Sequence, residues 1–147
     1  MDKKWVDLIN FVSDFSFGSV WWIKDTLWKI LKPDFYLKKR KKYHPALCLG
    51  GRKITSVYQT IPMLFGSHSN KSGFILDGLT SQKDKKDKEK HGYFSIRCYN
   101  VAVHNMMGQD PYLIRNRYKP MLNDNEKYEF KKYLIKKGIR FYEKQVD

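Results

Sequence analysis

The chain has 147 residues, 41% hydrophobic and 16% aromatic, which predicts one domain with a packed core and argues against a disordered chain. Lysine and arginine number 29 against 15 acidic residues, giving a net charge of +14. A fold does not need that excess, so a polyanionic partner is expected: RNA, DNA, an anionic membrane surface or an acidic protein.

Residues 3–15, "KKWVDLINFVSDF", carry Trp5, Leu8, Ile9, Val12 and Phe15 at helical spacing, with Asp2 available as a cap. They predict an amphipathic helix. Gly18 ends that pattern, and "SVWWI" (Ser19–Ile23) follows as a short strand rich in β-branched and aromatic residues. A long connection from Lys24 to His44, interrupted by Pro33, ends in five adjacent cations: Lys38, Lys39, Arg40, Lys41 and Lys42. "PALCL" (Pro45–Leu49) is continuously apolar, as a buried strand is, and Gly50-Gly51 close it with a turn.

"SVYQTIPMLF" (Ser56–Phe65) predicts another strand. Pro62 has no N–H for a ladder and assigns it to an edge or a bulge. "GFILDGLTS" (Gly73–Ser81) reads as a shorter strand, and the mixed-charge stretch 82–91 as a solvated loop. In "GYFSIRCYNVAVH" (Gly92–His104), Phe94, Ile96 and Cys98 share one face before Tyr99, Val101 and Val103 take over, a change of phase that predicts a bulge near Cys98. The last helix is the clearest. Asn123 caps it, Glu126 completes a capping box, Phe130, Tyr133, Leu134 and Phe141 give an apolar side, and Gly138 is a stop.

The expected architecture is α+β: a small antiparallel SH3-like β-barrel (18–120) flanked by an N-terminal helix (1–17) and a C-terminal helix (121–147), all one domain. No apolar run approaches the ~20 residues of a membrane span. Asp7, Asn10 and Asp14 interrupt any secretory h-region. Cys48 and Cys98, 50 positions apart in apolar strands, suit reduced and buried thiols and a cytoplasmic location.

Among residues that carry chemistry, His44 stands where the cationic run meets Pro45. A histidine, whose unperturbed pKa lies near neutrality, can serve there as base or acid. The alternative is a strand-start histidine bonded to a backbone carbonyl, with Pro45 fixing extended geometry. The cations Lys38–Lys42 suit a phosphate-tracking loop, and the neighbouring rings of Phe35, Tyr36 and Tyr43 suit unpaired bases. Arg52, with Lys53 beside it, or Arg97 could hold a phosphate bidentately. Trp21, Trp22 and Trp28 read as core. The cysteines and His44, His68, His91 and His104 have no zinc spacing, and no phosphate-cradling glycine loop occurs, so neither metal nor cofactor is expected.

"GSVWWI", a long loop, "HPALCL" (His44–Leu49) and then "GLTS" (Gly78–Ser81) together resemble the MazF/PemK-type ribosome-independent mRNA interferase toxins. The resemblance runs from about Gly18 to Gly138 as an order of elements. It implies a CcdB/PemK-type barrel, a homodimer, metal-independent cleavage of single-stranded RNA and an acidic antitoxin as partner. Where that family has an arginine before proline, this chain has His44. The family's hydroxyl falls on Thr80, or on Ser67 if "PML" (Pro62–Leu64) marks the strand end. Rival expectations are a non-catalytic nucleic-acid-binding module on the same barrel, and an interaction protein using the N-terminal aromatic helix.

Overall fold

A computed structural model describes residues 15–30, 43–53, 55–56, 58–67, 73–79, 92–103, 113–115 and 119–144. The predicted helix at 3–15 lies almost wholly outside these residues, as do Lys38–Lys42, Thr80 and the stretch 82–91. The elements are β1 (Val20–Lys24), α1 (Asp25–Ile30), β2 (Tyr43–Cys48), β3 (Thr60–Ser67), β4 (Phe74–Leu76), β5 (Gly92–Ala102), β6 (Leu113–Arg115) and α2 (Asp124–Lys137). The strands form one antiparallel sheet in the order β4-β5-β3-β2-β1-β6. This is an α+β fold. The sheet is open: β4 and β6 are its ends, and among the described residues no pairing joins them.

Strands β2 and β3 occupy the middle and are buried on both faces. Successive side chains of a strand point to opposite faces. Ala46, Cys48, Met63 and Phe65 therefore enter one apolar cluster, while Leu47, Leu49 and Leu64 enter the other. The unbroken hydrophobic runs "PALCL" and "IPMLF" follow from this double burial, because neither face has to meet water.

Phe15, Leu27 and Trp28 cover the first face, and the Trp28 ring meets Phe65 edge-on at 4.7 Å and Tyr99 at 5.5 Å. Phe130 and Leu134 of α2 sit in the second cluster with Phe17 and Leu122. As expected, Trp21 and Trp28 are core residues; Trp22 is half-buried against the second cluster.

Helix α2 has the predicted ends. The Asn123 side chain accepts from the Glu126 N–H at 2.8 Å, and the Glu126 carboxylate accepts from the Asn123 N–H at 3.0 Å. Gly138 terminates it in the left-handed region.

Several expectations need correction. The connection after β1 opens with a six-residue helix, α1, whose Leu27 and Trp28 are buried. Residues expected to begin β3 at Ser56 instead form a turn, in which the Gln59 carboxamide oxygen accepts from the N–H groups of Thr55 and Ser56. Pro62 lies in an interior strand rather than at an edge. It also lies away from the bulge, because the β3–β5 register shifts between Leu64↔Cys98 and Gly66↔Phe94. That shift puts the extra β5 residues at Ser95–Arg97, next to the expected bulge, and leaves Cys98, opposite Leu64, on the face of Phe94, with Tyr99 and Val101 on the other; Ile96 and Cys98 are exposed where burial was expected.

Candidate functional site

The sheet gives His44 a partner that the sequence did not suggest. Strands β1 and β2 pair with Ile23 opposite His44 and Lys24 opposite Tyr43. The chain then leaves β1 into α1, and the first residue of that helix, Asp25, returns its carboxylate over the head of β2. Asp25 Oδ1 lies 2.6 Å from His44 Nδ1, and the two side chains are 13% and 12% exposed. The Phe65 ring of β3 lies against the imidazole, with centroids 5.3 Å apart and planes at 31°. Thus β1, β2, α1 and β3 each contribute to holding one imidazole. The expectation of a backbone carbonyl as the partner of His44 is replaced by a carboxylate.

Ser67 stands two residues beyond Phe65 on the same face of β3 and is 8% exposed. The β2–β3 register is Cys48↔Met63, Leu47↔Leu64 and Ala46↔Phe65. The paired residues end at Ala46↔Phe65, so Ser67 lies two residues beyond the last pair on β3, and His44 two residues beyond it on β2. Thr80, the other candidate hydroxyl, lies outside the described residues, as do the cations Lys38–Lys42. That run ends one residue before β2 begins and two before His44.

The other predicted cations divide by position. Arg52 and Lys53 are exposed beyond Gly50-Gly51, at the opposite end of β2 from His44. Four residues of strand from His44 to Cys48 already span ~13 Å. Arg97 is exposed on β5, its guanidinium 5.3 Å from the Tyr99 ring centroid, at the level of Phe65 in the sheet. Ring contacts continue from Tyr99 to Trp28, from Trp28 to Phe65 and from Phe65 to His44. Arg97 and His44 therefore sit at two margins of one aromatic-lined face.

An ionised carboxylate has lone pairs and no proton, so it accepts from Nδ1 when that nitrogen carries the hydrogen, and Nε2 then points away from Asp25. Such a histidine can take or give a proton at Nε2. The two cysteines do not share this environment. Burial pushes the Cys48 thiol up to about 11, and Cys98, on the exposed side of β5, is also raised by partial desolvation. Among the described residues no three His, Cys, Asp or Glu side chains gather as metal ligands, and no helix is long and apolar enough to cross a membrane.

Asp25 was the residue that sequence reasoning missed. Its signal is weak: an acid directly after a strand, meaningful only once that strand pairs with the one carrying His44. Comparison with family models, curated proteins and solved structures finds no match for this chain.

Proposed function

We propose that the chain is a metal-independent endoribonuclease acting on single-stranded RNA, a toxin of the MazF/PemK kind. The observation that carries this reading is the carboxylate-bonded His44 beside the cationic run Lys38–Lys42. A proton-transfer group and a phosphate-collecting segment are adjacent in the chain, and the net charge of +14 calls independently for a polyanion.

In the reaction, His44 Nε2 takes the proton of an RNA 2′-hydroxyl. The 2′-oxygen forms a bond to the neighbouring phosphorus, and the bond from phosphorus to the 5′-oxygen breaks. That oxygen leaves with a proton drawn from the imidazolium or from solvent. The products are a 2′,3′-cyclic phosphate and a 5′-hydroxyl, and no redox partner is needed. The Ser67 hydroxyl donates to a non-bridging phosphate oxygen, which supports the developing charge. Arg97, on the same sheet face, is better situated than Arg52 to add positive charge near the phosphate, while Arg52 and Lys53 meet RNA further along.

A histidine where the resembled family carries arginine shifts this position from charge stabilisation to proton transfer, an effect worth about 10²–10⁴-fold in rate. The same reading carries with it an SH3-like curl of the sheet, a homodimer, a cytoplasmic location and an acidic antitoxin drawn to the basic surface.

The test is incubation of the purified protein with a long single-stranded RNA in EDTA. Discrete fragments ending in a cyclic phosphate are expected. They should be lost with His44→Ala, reduced with Ser67→Ala, and blocked by a 2′-deoxy substitution at the cleaved position. Intact RNA with salt-sensitive binding would sink the nuclease and leave a nucleic-acid-binding module.

A further inference from the structure

We infer that Asp25 is the positioning residue for His44: its carboxylate fixes the imidazole as the Nδ1–H tautomer and leaves Nε2 as the proton-accepting nitrogen. This rests on the reading of His44 as the proton-transfer group of the RNA-cleaving site, and three observations support it.

The first is geometric. The 2.6 Å bond joins Asp25 to His44 between two side chains that are both nearly buried, so few water molecules compete for either partner. The second concerns the ring plane. The Phe65 ring lies against one side of the imidazole and limits its tilt, while a half-turn, which leaves that contact unchanged, would carry Nδ1 away from the carboxylate. The carboxylate is therefore what distinguishes the two ring orientations.

The third is the cost of the arrangement. The sheet face next to the pair is apolar towards the core: Trp21 faces Ala46 across β1–β2, and Ala46 faces Phe65 across β2–β3. An ionisable pair in such surroundings gives no net stability over apolar residues of similar volume, because desolvation offsets the attraction. A pair maintained there by packing needs alone would be replaceable by two hydrophobic residues. A pair that sets a tautomer is not.

The arrangement also explains why α1 begins where it does. Lys24↔Tyr43 is the last β1–β2 pair, and the turn into α1 immediately afterwards is what swings Asp25 back over His44. An extended β1 would point residue 25 along the sheet instead.

The experiment combines spectroscopy with kinetics on the full chain. Two-bond proton–nitrogen correlation spectra of ¹⁵N-histidine protein report the His44 tautomer directly. Wild type should show the Nδ1–H form, and Asp25→Ala should move it towards Nε2–H, the form that a free histidine favours. With a single-stranded RNA substrate, Asp25→Ala should lower kcat about 100-fold or more while KM changes less than about threefold. Asp25→Glu, which keeps the carboxylate, should recover part of the loss.

Thermal unfolding establishes that each variant folds. Should Asp25→Ala fail to fold, the nearly isosteric Asp25→Asn is measured by the same criteria. An Nε2–H tautomer in wild type, or unchanged tautomer and kcat on removing the carboxylate, would overturn the assignment. If wild type leaves RNA intact, the nuclease reading falls while the tautomer measurement still decides what Asp25 does to His44.

Discussion

The backbone N–H of Tyr142 donates to the carbonyl oxygen of Leu49 at 2.8 Å, filling the acceptor that Pro62, across the ladder, has no N–H to reach. Leu49 itself donates to the Pro62 carbonyl at 3.0 Å, so half of an ordinary antiparallel pair survives and the chain after α2 supplies the other half. This is why a proline is tolerated in an interior strand. It also ties the segment following α2 to the end of β2, where Phe141 meets Phe17 at 5.2 Å.

That contact separates two glycines with nearly the same backbone. Gly50 has φ +72 and Gly138 has φ +69, both in the left-handed region. A Cβ on Gly50 would collide with the Tyr142 carbonyl oxygen, whereas a Cβ on Gly138 meets nothing within 4 Å. Gly138→Ala should cost ~1 kcal/mol from backbone strain, and Gly50→Ala more than ~2 kcal/mol from strain plus collision. Urea unfolding of the two variants measures the difference. Equal losses would mean that the segment after Gly138 does not press on the β2 turn.

At the other end of α2, the Glu126 carboxylate serves two partners, the Asn123 N–H and the Lys119 ammonium at 2.6 Å. Asn123→Ala should destabilise the fold by ~1 kcal/mol, with Asn123→Ser close to neutral. Glu126→Gln keeps the capping geometry and loses the charge pair, so it should cost less than Glu126→Ala. Thermal melts of the variants rank them.

The capping box, the Gly138 stop and the buried run of β2 were legible because each is a local pattern with a local cause. Asn123 and Glu126 bond each other's backbone three residues apart, and "PALCL" is apolar because both its faces are covered. Pro62 was misassigned because its missing donor is compensated by Tyr142, 80 positions away, and no local rule reveals such a partner. Asp25 was missed for the same reason: its meaning depends on β1–β2 register. The change of phase in β5 is legible because a two-residue shift preserves alternation, whereas the exposure of Ile96 and Cys98 depends on what covers that face, which no strand pattern states. The candidate site is thus half visible in the sequence: His44 and Ser67 stand out by type and place, while the Asp25 carboxylate comes to His44 only through β1–β2 pairing.

The two thiols should differ sharply in chemistry. Cys48 is fully buried, with its thiol pushed up to about 11, and Cys98 is exposed. In native protein near pH 8 a maleimide or disulfide reagent should modify Cys98 and spare Cys48, and denaturation should expose both. Because the folded chain holds the Cys48 proton more tightly than the unfolded chain does, the resulting stability is complete below about pH 9. It is lost as pH rises from there towards 11. Removing that slope in Cys48→Ala, after allowance for the lost packing, checks the sign.

The cations and the histidine should separate in kinetics. Single-stranded nucleic acid affinity falls with salt with a log–log slope of about −0.7 for each phosphate neutralised. Replacing Lys38, Lys39, Arg40, Lys41 and Lys42 with glutamine should therefore flatten the slope by up to ~3.5 if all five meet phosphates. On the proposed reading it should raise KM for RNA while leaving kcat at saturation near wild type, because collecting a strand moves no proton. Replacing Arg52 and Lys53 should flatten the slope by at most ~1.4, and only for RNA long enough to reach the far end of β2. His44→Ala should do the reverse, abolishing cleavage while leaving binding and its salt dependence unchanged. Filter binding across a salt series, paired with single-turnover cleavage, measures both quantities on the same preparations. A cationic-run variant that loses kcat but keeps its salt slope would mean that Lys38–Lys42 act on the chemistry of His44 and do not track the phosphate backbone.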